Sequence, residues 1–148
     1  MQENLHVTVA AVVEHEERFL MVKESIQGEI RYNQPAGHLE ENETLVDAVI
    51  RETLEETAWQ FKPEFISGIY QWTQAQSQQT FLRICFTGQG LSQETERKLD
   101  QGIIEAMWLS RDEIRQRQAQ LRSPLVLQCI DDYLAGHRYP LTLLSHVR

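Results

Sequence analysis

Basic residues are scarce in this chain: 14 Lys and Arg stand against 22 Asp and Glu, for a formal charge of −8. That balance argues against a nucleic-acid partner, because such surfaces gain affinity by neutralising phosphates with Lys and Arg. It would also repel a phosphorylated small molecule unless a cation intervenes. Cysteine is nearly missing, and Cys85 and Cys129 are far apart without metal-ligand spacing. They are expected to be buried free thiols. No apolar run approaches the roughly 18 residues of a membrane span, so no membrane partner is expected. The opening MQENLHVTVA has neither the basic start nor the apolar run of a secretory leader, and the expected location is cytoplasmic. Internal repeats and long linkers are absent as well. The 148 residues, 41% of them hydrophobic, are expected to form one domain, 1–148.

What is present reads as strands, then a helix, more strands and two further helices. Residues 5–13 are β-rich and nearly continuous in apolar character, the mark of a strand buried on both faces. Glu14–Arg18 is a polar hairpin turn and Phe19–Lys23 the returning strand, with 24–33 expected to loop out. Residues 43–57 read as a helix with Asn42 as its N-cap. Phe65–Thr73 and Thr80–Thr87 look like paired strands, 88–102 like a solvated loop, and Ile103–Leu109 like a short strand. Ser110-Arg111-Asp112-Glu113 has the pattern of a capping box. Ser123-Pro124 opens a last helix of about 124–136 that Gly136 stops. This order is a mixed α/β domain rather than a regular βαβ repeat.

Charge is not spread evenly along it. Seven acids and one Arg lie between Glu40 and Glu56, a net −6 of the chain's −8. On a helix, Glu52, Glu55 and Glu56 fall within roughly 100° of one another. Val46, Ile50, Thr53, Leu54 and Thr57 occupy another sector, suited to packing on a sheet. Glu43, Asp47 and Arg51 form a separate row at spacings of four. Three neighbouring carboxylates raise one another's pKa, and a hard divalent cation relieves the conflict. By periodicity alone, a solvated acidic face serves as well as a metal-loaded one.

A longer pattern distinguishes the two. Gly37, five residues, Glu43, seven residues, then Arg51-Glu52-Thr53-Leu54-Glu55-Glu56-Thr57-Ala58-Trp59 resembles the Nudix box, which occupies 37–59 here. Six fixed positions match: Gly37, Glu43, Arg51, Glu52, Glu55 and Glu56. Thr53 and Trp59 replace aliphatic residues, and Ala58 replaces a Gly. Residues 33–40, 121–125 and 138–141 further resemble the NudJ-type branch of that family.

The resemblance implies an α/β/α sandwich with a mixed β-sheet and a catalytic strand-loop-helix at the box. It implies an enzyme, a hydrolase of diphosphate linkages in phosphorylated small molecules. Nucleoside tri- and diphosphates and thiamine or hydroxymethylpyrimidine pyrophosphate are the branch's substrates. Mg²⁺ is the implied cofactor, with Mn²⁺ as a substitute. Glu52, Glu55 and Glu56 would be metal ligands together with the carbonyl of Gly37, while Glu43 and Arg51 brace the box. Catalytic proton transfer would fall to Glu52, Glu55 or Glu105, which stands three residues before Trp108. The rival reading is a Nudix module that binds a nucleotide without cleaving it. Such modules usually lose box carboxylates, and this chain keeps them.

Other residues are substrate candidates. Arg83 shares a strand face with Phe81 and Cys85, and an Arg on a buried face needs an anion. Gln34 and Tyr32 precede the box and are expected to touch substrate; Trp72 offers a face for a flat ring. His38 is expected to be a solvated loop residue, and His6, His15, His137 and His146 show no ligand spacing. Loops 24–34, 74–79 and 88–102 are where substrate recognition would lie. Monomer and homodimer are both compatible with the sequence.

Overall fold

A computed structural model describes residues 4–148. Its organising strand is β1, Leu5–His15, whose central residues are buried on both faces. On one edge β1 pairs in parallel with β6, Thr80–Gln93. On the other it pairs antiparallel with the short β4, Ala36–His38, and near its end with β2, Arg18–Ile26. β2 carries β3, Glu29–Asn33, and β7, Ile103–Ser110. β6 carries β5, Trp59–Thr73, which holds the two-residue β8 at Tyr139–Pro140. The result is an eight-stranded mixed sheet.

Helix α1, Leu45–Thr57, packs on one side of it, with Ala48 and Val49 against Val9, Ala11, Ile84 and Phe86. Helices α2, Arg111–Gln116, and α3, Leu125–Leu134, cover the other side, with Ile114, Val126 and Ile130 against Ala10, Val12 and Met21. This is the expected α/β/α sandwich. The double burial of β1 explains its unbroken apolar run: each face meets a different core. Cys85 and Cys129 are both free and buried.

Several boundaries differ from the sequence reading. Residues 24–33 do not loop out. β2 runs on to Ile26 and turns back through Gln27 and Gly28, at φ 52° and 81°, into β3. A two-residue hairpin requires that left-handed pair, and Gly28 supplies half of it without strain. The expected loop 88–102 shrinks to 94–102, because β6 continues to Gln93 against a β5 that begins at Trp59. Those extensions lie near the sheet's rim and alternate in burial, so their polar residues hid the strand.

The N-cap of α1 is Thr44, whose Oγ1 accepts the Asp47 N–H at 3.0 Å, and not Asn42. Asn42 instead takes φ 63° in the preceding turn. The apolar sector of α1 is also shifted. Thr53 and Thr57 are buried as expected, but they are joined by Ala48, Val49 and Glu56, while Ile50 and Leu54 are only half-buried.

At its other end α1 stops in the left-handed conformation. Ala58 has φ 65° and ψ 12° and donates its N–H to Leu54 O at 2.9 Å. The family's Gly position therefore keeps its geometry with a residue that resists it, at a cost of about 1–2 kcal/mol. The capping box at Ser110 and Glu113 is formed in both directions. Pro124 stands with helical angles before α3, and Ser123 Oγ accepts the Leu125 N–H at 3.1 Å. Ala58→Gly should relieve more strain than the added freedom of the unfolded chain costs. A gain of about 0.5–1 kcal/mol in chemical denaturation is expected; a loss would show that the Ala58 methyl is worth more in packing than its φ costs.

Candidate active site

Glu43 is a helix-box residue that lies outside the helix, before the Thr44 cap. Its carboxylate is therefore free to accept two bonds from Arg51, from Nε at 2.6 Å and Nη2 at 3.0 Å. It also accepts the Glu40 N–H at 3.1 Å, which fixes the loop. These bonds hold its carboxyl below the usual range, Arg51 first. The remaining donors of Arg51 reach Glu52 at 2.7 Å, Glu55 at 3.0 Å and the carbonyl of His38 at 3.1 Å. One guanidinium thus ties the loop after β4 to three carboxylates, and its own pKa is driven up, mainly by Glu43.

The two innermost acids sit where β4 passes α1. Glu56 accepts the Ala36 N–H at 3.0 Å and is only 9% exposed. Burial, above all, pushes its carboxyl well up, and Glu52, Glu24 and Asp100 add to this. Glu52 lies against Gly37: a Cβ on that glycine would stand 2.1 Å from Glu52 Cδ. Burial likewise raises Glu52, with Arg51 pulling the other way. Among the described residues the acids do not converge on one point. Glu52 and Glu55 turn to Arg51 and Glu56 to the backbone.

A cleft of about 810 Å³ opens from these carboxylates. Glu52, Glu56 and Gly37 line one part, Trp72 and Phe81 another, and Arg83 is in its wall. The two aromatic rings stack at 5.5 Å between centroids, 28° from parallel. Arg83 is buried at 7% exposure, yet its Nε has no partner. His38 also lines the cleft and is not a lone loop residue: its Nε2 meets His6 Nδ1 at 2.9 Å. Burial first, then His6 and Arg122, lower its pKa.

Three expected contacts fall elsewhere. Gln34 is 1% exposed and its amide is spent inside the fold, donating to Ala11 O at 3.1 Å and accepting from Arg83 Nη1 at 3.3 Å. It is a support for Arg83 rather than a substrate contact. Tyr32 is turned from the cleft, its ring under the Arg117 guanidinium at 5.3 Å. Glu105 is exposed opposite Lys23, on the β7 face of Met107 and Leu109, which is the side away from α1. Strand alternation places it there, and it does not reach the box. The acids that do approach are Glu24 at the end of β2 and Asp100, whose N–H donates to Glu55 O at 3.0 Å. The sequence reading missed Glu24 because its strand was taken for loop, and Arg122 because its segment carried only a resemblance.

The family profile for the NUDIX domain matches residues 4–129. With the fold and the box in place, the chain belongs to the Nudix hydrolase family, enzymes acting on phosphorus anhydrides whose members generally use divalent metal ions. It is 43% identical over 140 residues to the phosphatase NudJ of Escherichia coli K12, covering 95% of this chain and 90% of that protein. A NUDIX hydrolase from Nitrosomonas europaea superimposes with a TM-score of 0.94 at 52% identity, over 96% of this chain and 97% of its own. The NUDIX domain of Shewanella oneidensis NrtR, solved with ADP ribose, reaches a TM-score of 0.72 at 19% identity, covering 88% and 87%, a likeness of fold alone.

Glu43→Gln keeps the size of the brace and removes its charge. A loss of about 1–3 kcal/mol is expected, because Arg51 gives up its strongest partner while half-buried. Urea unfolding checks this; no measurable change would mean that Glu43 does not hold the loop.

Proposed function

We propose that the protein is a Mg²⁺-dependent hydrolase of diphosphate linkages in small phosphorylated molecules, with Mn²⁺ able to substitute. The proposed substrates are nucleoside tri- and diphosphates and thiamine or hydroxymethylpyrimidine pyrophosphate, in line with the likeness to NudJ. The observation that carries this is one continuous cleft. Box carboxylates, a stacked aromatic pair and a buried Arg line it together. A diphosphate bearing a flat ring calls for those three kinds of group.

The donor set fits a hard divalent cation. It is all oxygen, and the close approach of Glu52 to Gly37 leaves space only because position 37 has no Cβ. Glu52, Glu55, Glu56 and the carbonyl of Gly37 would hold the metal. A bound Mg²⁺ supplies neutralising charge for the phosphates and acidifies a water for in-line attack. Both Glu52 and Glu55 bond Arg51, but only Glu52 lines the cleft, so Glu52 is placed to take a proton there. Glu43 and Arg51 keep the carboxylates in place. Arg83, in the cleft wall, would offer its guanidinium to a phosphate oxygen while Gln34 holds its Nη1. Trp72 and Phe81 take the ring, at a gain of about 1 kcal/mol beyond area burial. All six fixed box positions are retained, which favours catalysis over binding alone.

Purified protein should release phosphate from at least one of these substrates with Mg²⁺ and from none without it. Silence across a nucleotide and thiamine pyrophosphate panel would sink the proposal. Glu56→Gln should fold, since an amide oxygen still accepts the Ala36 N–H, and should turn over at least about a hundredfold more slowly. Unaltered turnover would take Glu56 out of the site.

Gly37→Ala provides a test without turnover. The three nearest atoms to the added methyl all belong to the end of the Glu52 side chain, which must swing off its Arg51 bond, so a stability loss of about 1–2 kcal/mol is expected. The rise in Tm on adding millimolar Mg²⁺ or Mn²⁺ should vanish, because only ligands that favour the native state raise it. A wild-type rise in the variant would show that Glu52 need not lie against position 37 for the metal to bind.

A further inference from the structure

The His6–His38 pair is used by nothing in the box, and strand register sets it where it is. His6 on β1 lies opposite Phe81 on β6, Phe81 lies opposite Trp72 on β5, and His38 ends β4 opposite Thr8. Cross-strand neighbours on one sheet face are within reach of one another. A row of four rings results. Trp72 stacks on Phe81, Phe81 stacks on His6 at 4.7 Å and 15° from parallel, and His6 meets His38 at 66° with 5.1 Å between centroids. The stack fixes the plane of the His6 ring, and its Nδ1 lies 2.9 Å from His38 Nε2.

A hydrogen bond between two imidazoles needs a proton on one nitrogen and a lone pair on the other. The nitrogen left over decides which ring donates. His6 Nε2 is buried and has no partner among the described residues. If His38 donated, His6 would carry its proton on Nε2, as an N–H sealed from any acceptor. If His6 donates, only a lone pair is left bare there. Buried donors without acceptors are the rarer of the two, so His6 donates from Nδ1. His38 then accepts at Nε2 and carries its own proton on Nδ1. The His38 ring is exposed and lines the cleft with Gly37, Glu52 and Glu56, and its Nε2 is taken by His6, so Nδ1–H is the donor left for a ligand. A neutral donor can bond a phosphate oxygen without adding positive charge beside the carboxylates that would hold the metal.

We propose that His6 holds His38 in the tautomer with its proton on Nδ1, and that this N–H donates to a phosphate oxygen of the bound substrate. His38 is then a substrate-binding residue and His6 a positioning residue that acts through it. The substrate contact rests on the proposed diphosphate site, whereas the tautomer is a property of the protein alone.

Long-range proton–nitrogen NMR of histidine-labelled protein distinguishes the tautomers, with His6→Phe and His38→Phe supplying the assignments. Phe keeps a ring at each place in the row. Without metal, and above the ordinary imidazole range so that both rings are neutral, His38 should show its proton on Nδ1. The probe is a nucleoside methylenediphosphonate with Mg²⁺, and at saturation it should move the His38 Nδ1 signals. His38→Phe should weaken the probe about tenfold, the loss of one hydrogen bond to a charged oxygen. His6→Phe should send the His38 proton to Nε2 and weaken the probe about three- to tenfold, an effect on tautomer that a merely structural role for His6 would not have. A His38 proton on Nε2 in wild type, no binding of the probe, full affinity in either variant, or a loss in His6→Phe with the His38 tautomer unchanged would each overturn the proposal. Turnover of substrate while the bound probe leaves His38 Nδ1 unmoved would end the donor role and keep the hydrolase reading. A moved His38 Nδ1 with no substrate hydrolysed would do the reverse.

Discussion

Everything at this site depends on Arg51. A helix that carries Glu52, Glu55 and Glu56 beside a loop with Glu40 and Glu43 would drive itself apart. Arg51 answers with bonds to three of these carboxylates and to the His38 carbonyl. Its planar, permanently charged fork is suited to that number of acceptors, and Lys would not reproduce it. The carbonyl bond matters as much as the charge. It ties α1 to the end of β4, and β4 brings Gly37 against Glu52 and the Ala36 N–H against Glu56. Loop, strand and helix are thereby fixed to one another before any ligand arrives.

The layers serve that fixation. β1 holds β4 on one edge and β6 on the other, so the box and the wall with Phe81 and Arg83 are set by a single buried strand. Strand alternation then sorts the side chains. Thr8, Phe81 and Arg83 face the cleft while Val9 and Ile84 face α1. The raised pKa values of Glu52 and Glu56 follow from this packing, because burial is the largest cause in both. The protein keeps two carboxylates in a place that penalises their charge, and a cation reverses the penalty.

How much was legible in the sequence depended on whether a residue's role was local. The box was readable because its residues interact within one loop and helix at fixed spacings. The burial of Arg83 was readable because a single Arg interrupts an apolar strand. Gln34 was misread because burial of a polar residue is invisible until β1 and β6 close over it. Glu105 was misread because its position relative to Trp108 says nothing about which face of β7 is turned to α1. Glu24 and Arg122 were beyond reach, since their contact joins residues 98 positions apart. The strand ends at 24–33 and 88–93 were lost for a milder reason: polar residues on a sheet rim look like loop.

The cleft is lined by acids and arginines together, and the mixture bears on what it could bind. Glu52 and Glu56 repel a phosphate by themselves, and the chain's net −8 offers no general attraction. Under the proposed function, attraction would be local, from a cation held by the acids and from Arg83 and Arg122 in the same lining. Arg83 is buried and braced by Gln34, which fixes its guanidinium in the cleft wall. Arg122 is held at its backbone by Tyr32 and at its guanidinium by Glu24. A site built only of acids would collect metal and reject substrate. One built only of arginines would bind phosphate without a means of activating water. A cleft lined by both, with Arg51 holding the acids in place, would combine the two.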